Sequence, residues 1–139
     1  MRQTVTEFTI STRGKGLYEF TPDVERWVAE QKMSAGLLTL HCKHTSASLL
    51  IQENADPDVQ TDLKRWFERL APENHPDYVH TMEGPDDMPA HLRAAVTPVS
   101  LAIPLLAGRL ALGTWQGIYL FEHRRAAHRR TVAAHLIGE

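Results

Sequence analysis

A chain of 139 residues with 42% hydrophobic and 23% charged side chains has the size and make-up of one globular domain. Lys and Arg number 15 against 17 Asp and Glu, and the formal charge of -2 leaves no surplus of cations to neutralise a nucleic-acid backbone. The opening MRQTVTEFTI alternates polar and apolar residues, and the most apolar stretch, Val99 to Leu112, is broken by Pro104, Gly108 and Arg109, so the chain reads as cytoplasmic with no nucleic-acid or membrane partner.

Thr4 to Thr12 carries the period of a strand, and Gly14 and Gly16 supply the turn after it. A short strand near Leu17 to Phe20 precedes Thr21-Pro22, an N-cap with a first-turn proline, and Val24, Trp27, Val28 and Gln31 then recur at helical spacing. Leu37 to Cys42 and Ala47 to Glu53 flank the polar Lys43-His44-Thr45-Ser46 and read as a hairpin or as neighbouring strands. Cys42, the one cysteine, ends an apolar run and is expected in the core. Asp56-Pro57 starts the clearest helix, whose stripe Val59, Leu63, Trp66, Phe67 and Leu70 is expected in the core.

Ala71 to Pro85 is a long polar excursion, with a strand expected near Tyr78 to Met82. Asp87-Met88-Pro89 opens a short helix to about Val96, and strands follow near Ser100 to Leu105, Leu110 to Leu112, Gly117 to Glu122 and Arg129 to Ile137. The expected fold is one α+β domain over residues 1–139, mainly antiparallel sheet with two main helices and a short third.

Strand alternation sorts polar residues by face. If the strand from Leu37 runs on to residue 44, His44 continues the row Leu38, Leu40, Cys42, whereas His41 falls on the opposite face, so His41-x-x-His44 is a poor chelate. Glu53 ends the row Ala47, Leu49, Ile51, and Glu122 ends Gln116, Ile118, Leu120. A carboxylate drawn towards low dielectric must find a cation, a metal or strong donors, or take up a proton, which leaves structural and functional roles equally open for both.

The segment His80 to His91 is the densest collection of potential ligands. Asp87 and His91 lie four apart at a helix start, and Gly84-Pro85 can turn Glu83 and Asp86 towards them. Imidazole with carboxylate suits zinc or another transition metal, a mainly carboxylate subset suits magnesium, and the plainer alternative is that Asp87 only caps the helix. Gly113-Thr114-Trp115-Gln116-Gly117 permits a close turn. Arg124, Arg125, Arg129 and Arg130 could grip a phosphate, with solvated surface arginines as the default.

Taken together, His44-Thr45-Ser46-Ala47-Ser48, Glu53-Asn54 with Asp56, Glu83-Gly84-Pro85-Asp86-Asp87-Met88-Pro89-Ala90-His91, Gly113-Thr114-Trp115-Gln116-Gly117-Ile118 and Glu122-His123-Arg124 resemble the YjbQ-like family, also labelled secondary thiamine-phosphate synthases. The resemblance runs in order over nearly the whole chain. It implies a homotrimer, a phosphorylated small-molecule partner and a weak activity joining hydroxymethylpyrimidine diphosphate to thiazole phosphate with release of diphosphate. Carried onto this chain, it points to His44, Ser46, Glu53, His80, Glu83, Asp86, Asp87, His91, Gln116 and Glu122. Of these, His44, Ser46, Glu53, Asp87, Gln116 and Glu122 are expected to be catalytic, and the donor chemistry of His44, His80, Glu83, Asp86 and His91 makes them the expected ligands of a divalent metal, magnesium or zinc.

Two other readings stand beside it. One is a zinc hydrolase with His44, His80 and His91 as ligands and Glu53 or Glu83 as base; the other is a non-catalytic trimeric metabolite-binding protein. In any of them, His44 lies near the turn between the strands Leu37 to Cys42 and Ala47 to Glu53, and Glu53 at the far end of the second, about 20 Å away at about 3.4 Å per residue, so a shared site requires two chains.

Overall fold

The alternation of apolar and polar residues is realised as strands through most of the chain. The computed structural model describes residues 1–139, in the order β1 (Arg2–Thr12), β2 (Gly16–Glu19), α1 (Thr21–Glu30), β3 (Gly36–Cys42), β4 (Ala47–Glu53), α2 (Pro57–Leu70), α3 (Asp87–Val96), β5 (Ser100–Leu106), β6 (Arg109–Leu110), β7 (Gln116–Glu122) and β8 (His128–Gly138). Every ladder is antiparallel. Five strands form one sheet in the order β1-β8-β3-β5-β6, and three form a second in the order β2-β7-β4. No helix is long and apolar enough to cross a membrane.

The core lies between the two sheets. Leu38, Leu40, Ile103, Val132 and Leu136 from the larger sheet meet Leu49, Ile118 and Leu120 from the smaller, and α1 adds Val24 and Val28. Cys42 is buried among them. On the outer face of the smaller sheet α2 and α3 pack against β2 and β4, with Phe67 edge-to-face on Phe121 at 5.1 Å.

Several local expectations change. β3 and β4 are not a hairpin: residues 43–46 carry the chain from one sheet to the other, because β3 pairs with β5 and β8 while β4 pairs with β7. His44 and Ser46 therefore stand at a crossing between sheets. Thr21 does not cap α1; its hydroxyl donates to Glu19 Oε2 and accepts from Ile118 N, tying the helix start to β7. No strand forms at 78–82, where Val79 and Met82 are each 95% exposed and Tyr78 folds back to donate to the Pro72 carbonyl. Prolines 72, 76 and 85 remove donors from this stretch, and no sheet edge receives it. The α2 stripe is only partly covered, with Phe67 buried but Trp66 50% and Leu70 49% exposed.

Candidate functional site

α3 starts where the chain turns through Gly84, whose φ of 105° is a backbone conformation that disfavours any side chain. One helical turn then sets Asp87 and His91 on the same face. His91 Nε2 lies 3.2 Å from Asp87 Oδ2, and His80, carried by the preceding excursion, brings its Nε2 to 2.6 Å from the same oxygen. The two imidazole rings are 5.2 Å apart, centroid to centroid. The candidate ligand atoms of His80, Asp87 and His91 all fall within 4.8 Å of one another. Asp87 is buried, with its side chain 3% exposed, while the side chains of His80 and His91 are 45% and 33% exposed, so the corner opens to solvent on its imidazole side.

Burial by itself would raise the Asp87 pKa. The hydrogen bonds with His80 and Glu83, and after them the nearby Arg124 charge, outweigh it and hold the carboxyl below its ordinary range. The carboxylate is therefore ionised and able to accept a cation.

Arg124 organises the far side. Its Nη1 donates to Asp87 Oδ1 at 2.8 Å, its Nε to Asp86 Oδ2 at 3.0 Å, and its Nη2 to the Glu83 carbonyl at 2.9 Å. Asp86 Oδ2 also accepts from Arg125 N at 2.9 Å. Burial opposes ionisation of Asp86, but the Arg125 amide and the Arg124 guanidinium pull its pKa below the usual value. Asp86 thus holds the frame and does not join the three converging ligand atoms. The Glu83 carboxylate stands near the corner, its Oε2 4.0 Å from His80 Nε2.

Behind this corner lies a buried ion pair. Glu122 is fully buried and Arg130 is 4% exposed. Glu122 Oε1 accepts from Thr12 Oγ1 at 2.6 Å and from Arg130 Nε at 2.7 Å; Oε2 accepts from Arg130 Nη2 at 2.5 Å, from His123 N at 3.0 Å and from Arg124 N at 3.2 Å. Ser46 belongs here too, its Oγ 3.0 Å from Arg130 Nη2. Burial pushes the Glu122 pKa up, and the Arg130, Thr12 and Arg124 hydrogen bonds more than reverse it. Glu122 and Ser46 are thus both engaged with Arg130 behind the corner.

His44 lines an open groove with Lys43, Thr45 and His91. Its Nε2 accepts from Thr131 N at 2.8 Å, so the neutral ring carries its proton on Nδ1. Burial, assisted by the Arg130 charge, lowers its pKa and keeps that neutral form. In this state His44 is a hydrogen-bond donor beside the cluster rather than one of its ligands. Glu53 and Gln116 lie elsewhere: they face each other at one end of the β4–β7 ladder, whereas Ala47 and Glu122 pair at the other. Gln116 Oε1 accepts from Gly113 N at 2.7 Å and faces a separate polar cleft with Glu19, Asn54 and Arg109.

Sequence reasoning took Arg124 and Arg130 as solvated surface arginines by default, whereas both are engaged in ion pairs with little exposure. A signal for Arg130 existed, since it continues the buried row Leu136, Ala134, Val132 two residues at a time. Arg124 lies beyond the end of β7, and only its hydrogen-bond partners distinguish it from a solvated arginine.

Fold and cluster define a class: a single α+β domain of two antiparallel sheets with an open corner of two histidines and one carboxylate. The family described as "UPF0047 protein YjbQ-like" matches residues 6–139, and the chain belongs to it. A UPF0047 protein of Synechocystis is 52% identical over 130 residues, covering 94% of this chain and 88% of that protein. The UPF0047 protein YjbQ of Escherichia coli O157:H7 is 42% identical over 132 residues, covering 94% and 95%. Among solved structures, a hypothetical protein of Aeropyrum pernix K1 superposes with a TM-score of 0.88 at 30% identity, covering 98% of this chain and 99% of that one. An uncharacterized conserved protein of Clostridium acetobutylicum gives 0.87 at 34% identity, covering 95% and 99%.

Proposed function

We propose that this protein is a metal-dependent enzyme acting on a phosphorylated small molecule, with His80, Asp87 and His91 as the ligands. The observation that carries the reading is the convergence of their ligand atoms within 4.8 Å on a corner that stays open to solvent. Two imidazoles with one carboxylate are a donor set that suits zinc or a similar transition metal and leaves positions for water or substrate. A bound divalent cation would supply charge neutralisation for phosphate oxygens at this corner. Lys43, Thr45 and the Nδ1–H of His44 line the adjoining groove and present donors of the kind an anionic substrate needs.

Within this class, the reaction implied by the family resemblance is the transfer that forms thiamine phosphate. The carbon–oxygen bond of hydroxymethylpyrimidine diphosphate breaks, diphosphate leaves with the bonding pair, and the thiazole nitrogen supplies the pair for the new carbon–nitrogen bond. His44 and Lys43 would donate to the departing oxygens as their charge grows. A homotrimer in the cytoplasm fits the resemblance and the single buried cysteine. The donor set also favours a second reading, hydrolysis of a phosphate ester, with Glu83, whose Oε2 is 4.0 Å from His80 Nε2, as base.

Metal content of purified protein and of H80A and H91A, followed by assays for diphosphate release from the two thiamine precursors and phosphate release from simple monoesters, tests these readings. Near-stoichiometric zinc that both substitutions remove is the expected result. Protein that takes up no divalent metal refutes the class; diphosphate or phosphate release selects between transfer and hydrolysis, and metal binding without turnover leaves a metabolite-binding role.

A further inference from the structure

We propose that Arg124 is the positioning residue of this corner: it restricts Asp87 to a single ligand oxygen and fastens the loop that carries His80. The inference rests on the metal reading above and adds to it a residue that is not itself a ligand.

The guanidinium is committed on three sides, to Asp87 Oδ1 at 2.8 Å, Asp86 Oδ2 at 3.0 Å and the Glu83 carbonyl at 2.9 Å. With Oδ1 engaged, Asp87 offers only Oδ2 to the imidazole side, and Oδ2 is the oxygen that both Nε2 atoms approach. The Glu83 carbonyl lies three residues after His80, so the bond from Nη2 ties the His80 loop to the start of α3. One planar side chain thereby couples two of the three candidate ligands, and the third, His91, is set by the helical turn from Asp87.

Arg124 is held in place in turn. Its amide donates to Glu122 Oε2 at 3.2 Å, and its side chain is 18% exposed. Its pKa is raised, first by the hydrogen bond to Asp86, so it stays charged. A guanidinium engaged this way has little left to offer a substrate phosphate. Lysine would keep the charge but cannot reproduce three donations from one rigid plane. Removal of the side chain would free Asp87 to rotate and leave it beside Asp86, a like charge with nothing between them.

The test uses cobalt(II), whose visible absorption reports coordination number, together with zinc competition for affinity, on the full-length wild type, R124A, R124K and H80A. Melting temperatures in EDTA follow the apo fold. The expected result is that R124A weakens metal binding by about 10- to 100-fold, the range typical for loss of a residue that supports a ligand. Its cobalt band should change shape, R124K should fall between it and wild type, and added guanidinium ion should partly restore R124A.

Identical affinity and spectrum in wild type and R124A overturn the proposal while leaving the metal site intact. So does a weakening that tracks the apo melting temperature, with an unchanged band and no guanidinium rescue. Wild type that binds no cobalt sinks the metal reading itself and this inference with it. Should R124A fail to fold, R124K, which retains the charge and most of the side chain, carries the same comparison.

Discussion

Replacement of Glu122 by glutamine is the sharpest probe of the buried ion pair behind the corner. The carboxylate is fully buried and accepts from five donors: Thr12, the His123 and Arg124 amides, and Arg130 twice. Glutamine must place its NH2 where one oxygen stood. At the Oε1 position it confronts Arg130 Nε, although Thr12 could turn its hydroxyl to the His128 carbonyl. At the Oε2 position it confronts Arg130 Nη2 and two backbone amides. Either way a buried guanidinium loses its counter-charge and at least one donor is stranded. Breaking a buried pair from one side costs about 3–5 kcal/mol. At roughly 3 °C per kcal/mol for a chain of this size, the melting temperature should drop by about 10 °C or more. Urea denaturation at neutral pH, with the slope checked against wild type, measures the loss directly. A loss below about 1 kcal/mol, the level of an exposed pair, would refute the claim that this ion pair is desolvated and held by its hydrogen bonds.

Three further outcomes are expected. Burial and the Arg93 charge lower the His123 pKa from 6.5 to about 3, so the folded chain keeps the ring neutral while the unfolded chain protonates it below 6.5. Stability is therefore complete above pH 6.5 and declines by about 1.4 kcal/mol per unit below it, reaching nearly 3 kcal/mol by about pH 4.5. His123→Leu should flatten that limb in pH-dependent melts, and equal slopes would contradict a neutral buried ring. Gly36 pairs with Gly138 across β3 and β8, and a Cβ at Gly36 would run into the Ile137 carbonyl, so Gly36→Ala should cost about 1–3 kcal/mol; an unchanged melt would show that the strands can spread. Glu53→Ala with Gln116→Ala should leave zinc affinity unchanged, because both residues lie at the far end of β4–β7. A tenfold loss would mean that this end reaches the metal corner from another copy of the chain.

Most elements were legible because their periods are strong. The row Leu38, Leu40, Cys42 and the N-cap Asp56, whose side chain accepts from Asp58 N, read directly as strand and helix start. Pairing was harder to read. The four-residue link 43–46 looks like a hairpin turn, and only the partners of β3 and β4 reveal a change of sheet. The α2 stripe gave the correct face but not its depth, since Trp66 and Leu70 stay half exposed. At the site, the i, i+4 spacing located Asp87 and His91, whereas His80 arrives through an irregular loop that no period describes. Row-end logic found Glu122 as a buried acid needing a partner, but that partner, Arg130, ends a row on another strand of another sheet.

The unequal origins of the clustered side chains also bear on motion. Asp87 and His91 share one turn of α3 and shift as a unit, whereas His80 hangs from an irregular stretch whose neighbours Val79 and Met82 touch almost nothing. Any ligand gripped by all of them must restrict the exposed turn around His80, at a cost in conformational entropy. Amide hydrogen exchange across residues 72–84 should therefore register occupancy of the corner more strongly than exchange within α3, which is ordered beforehand.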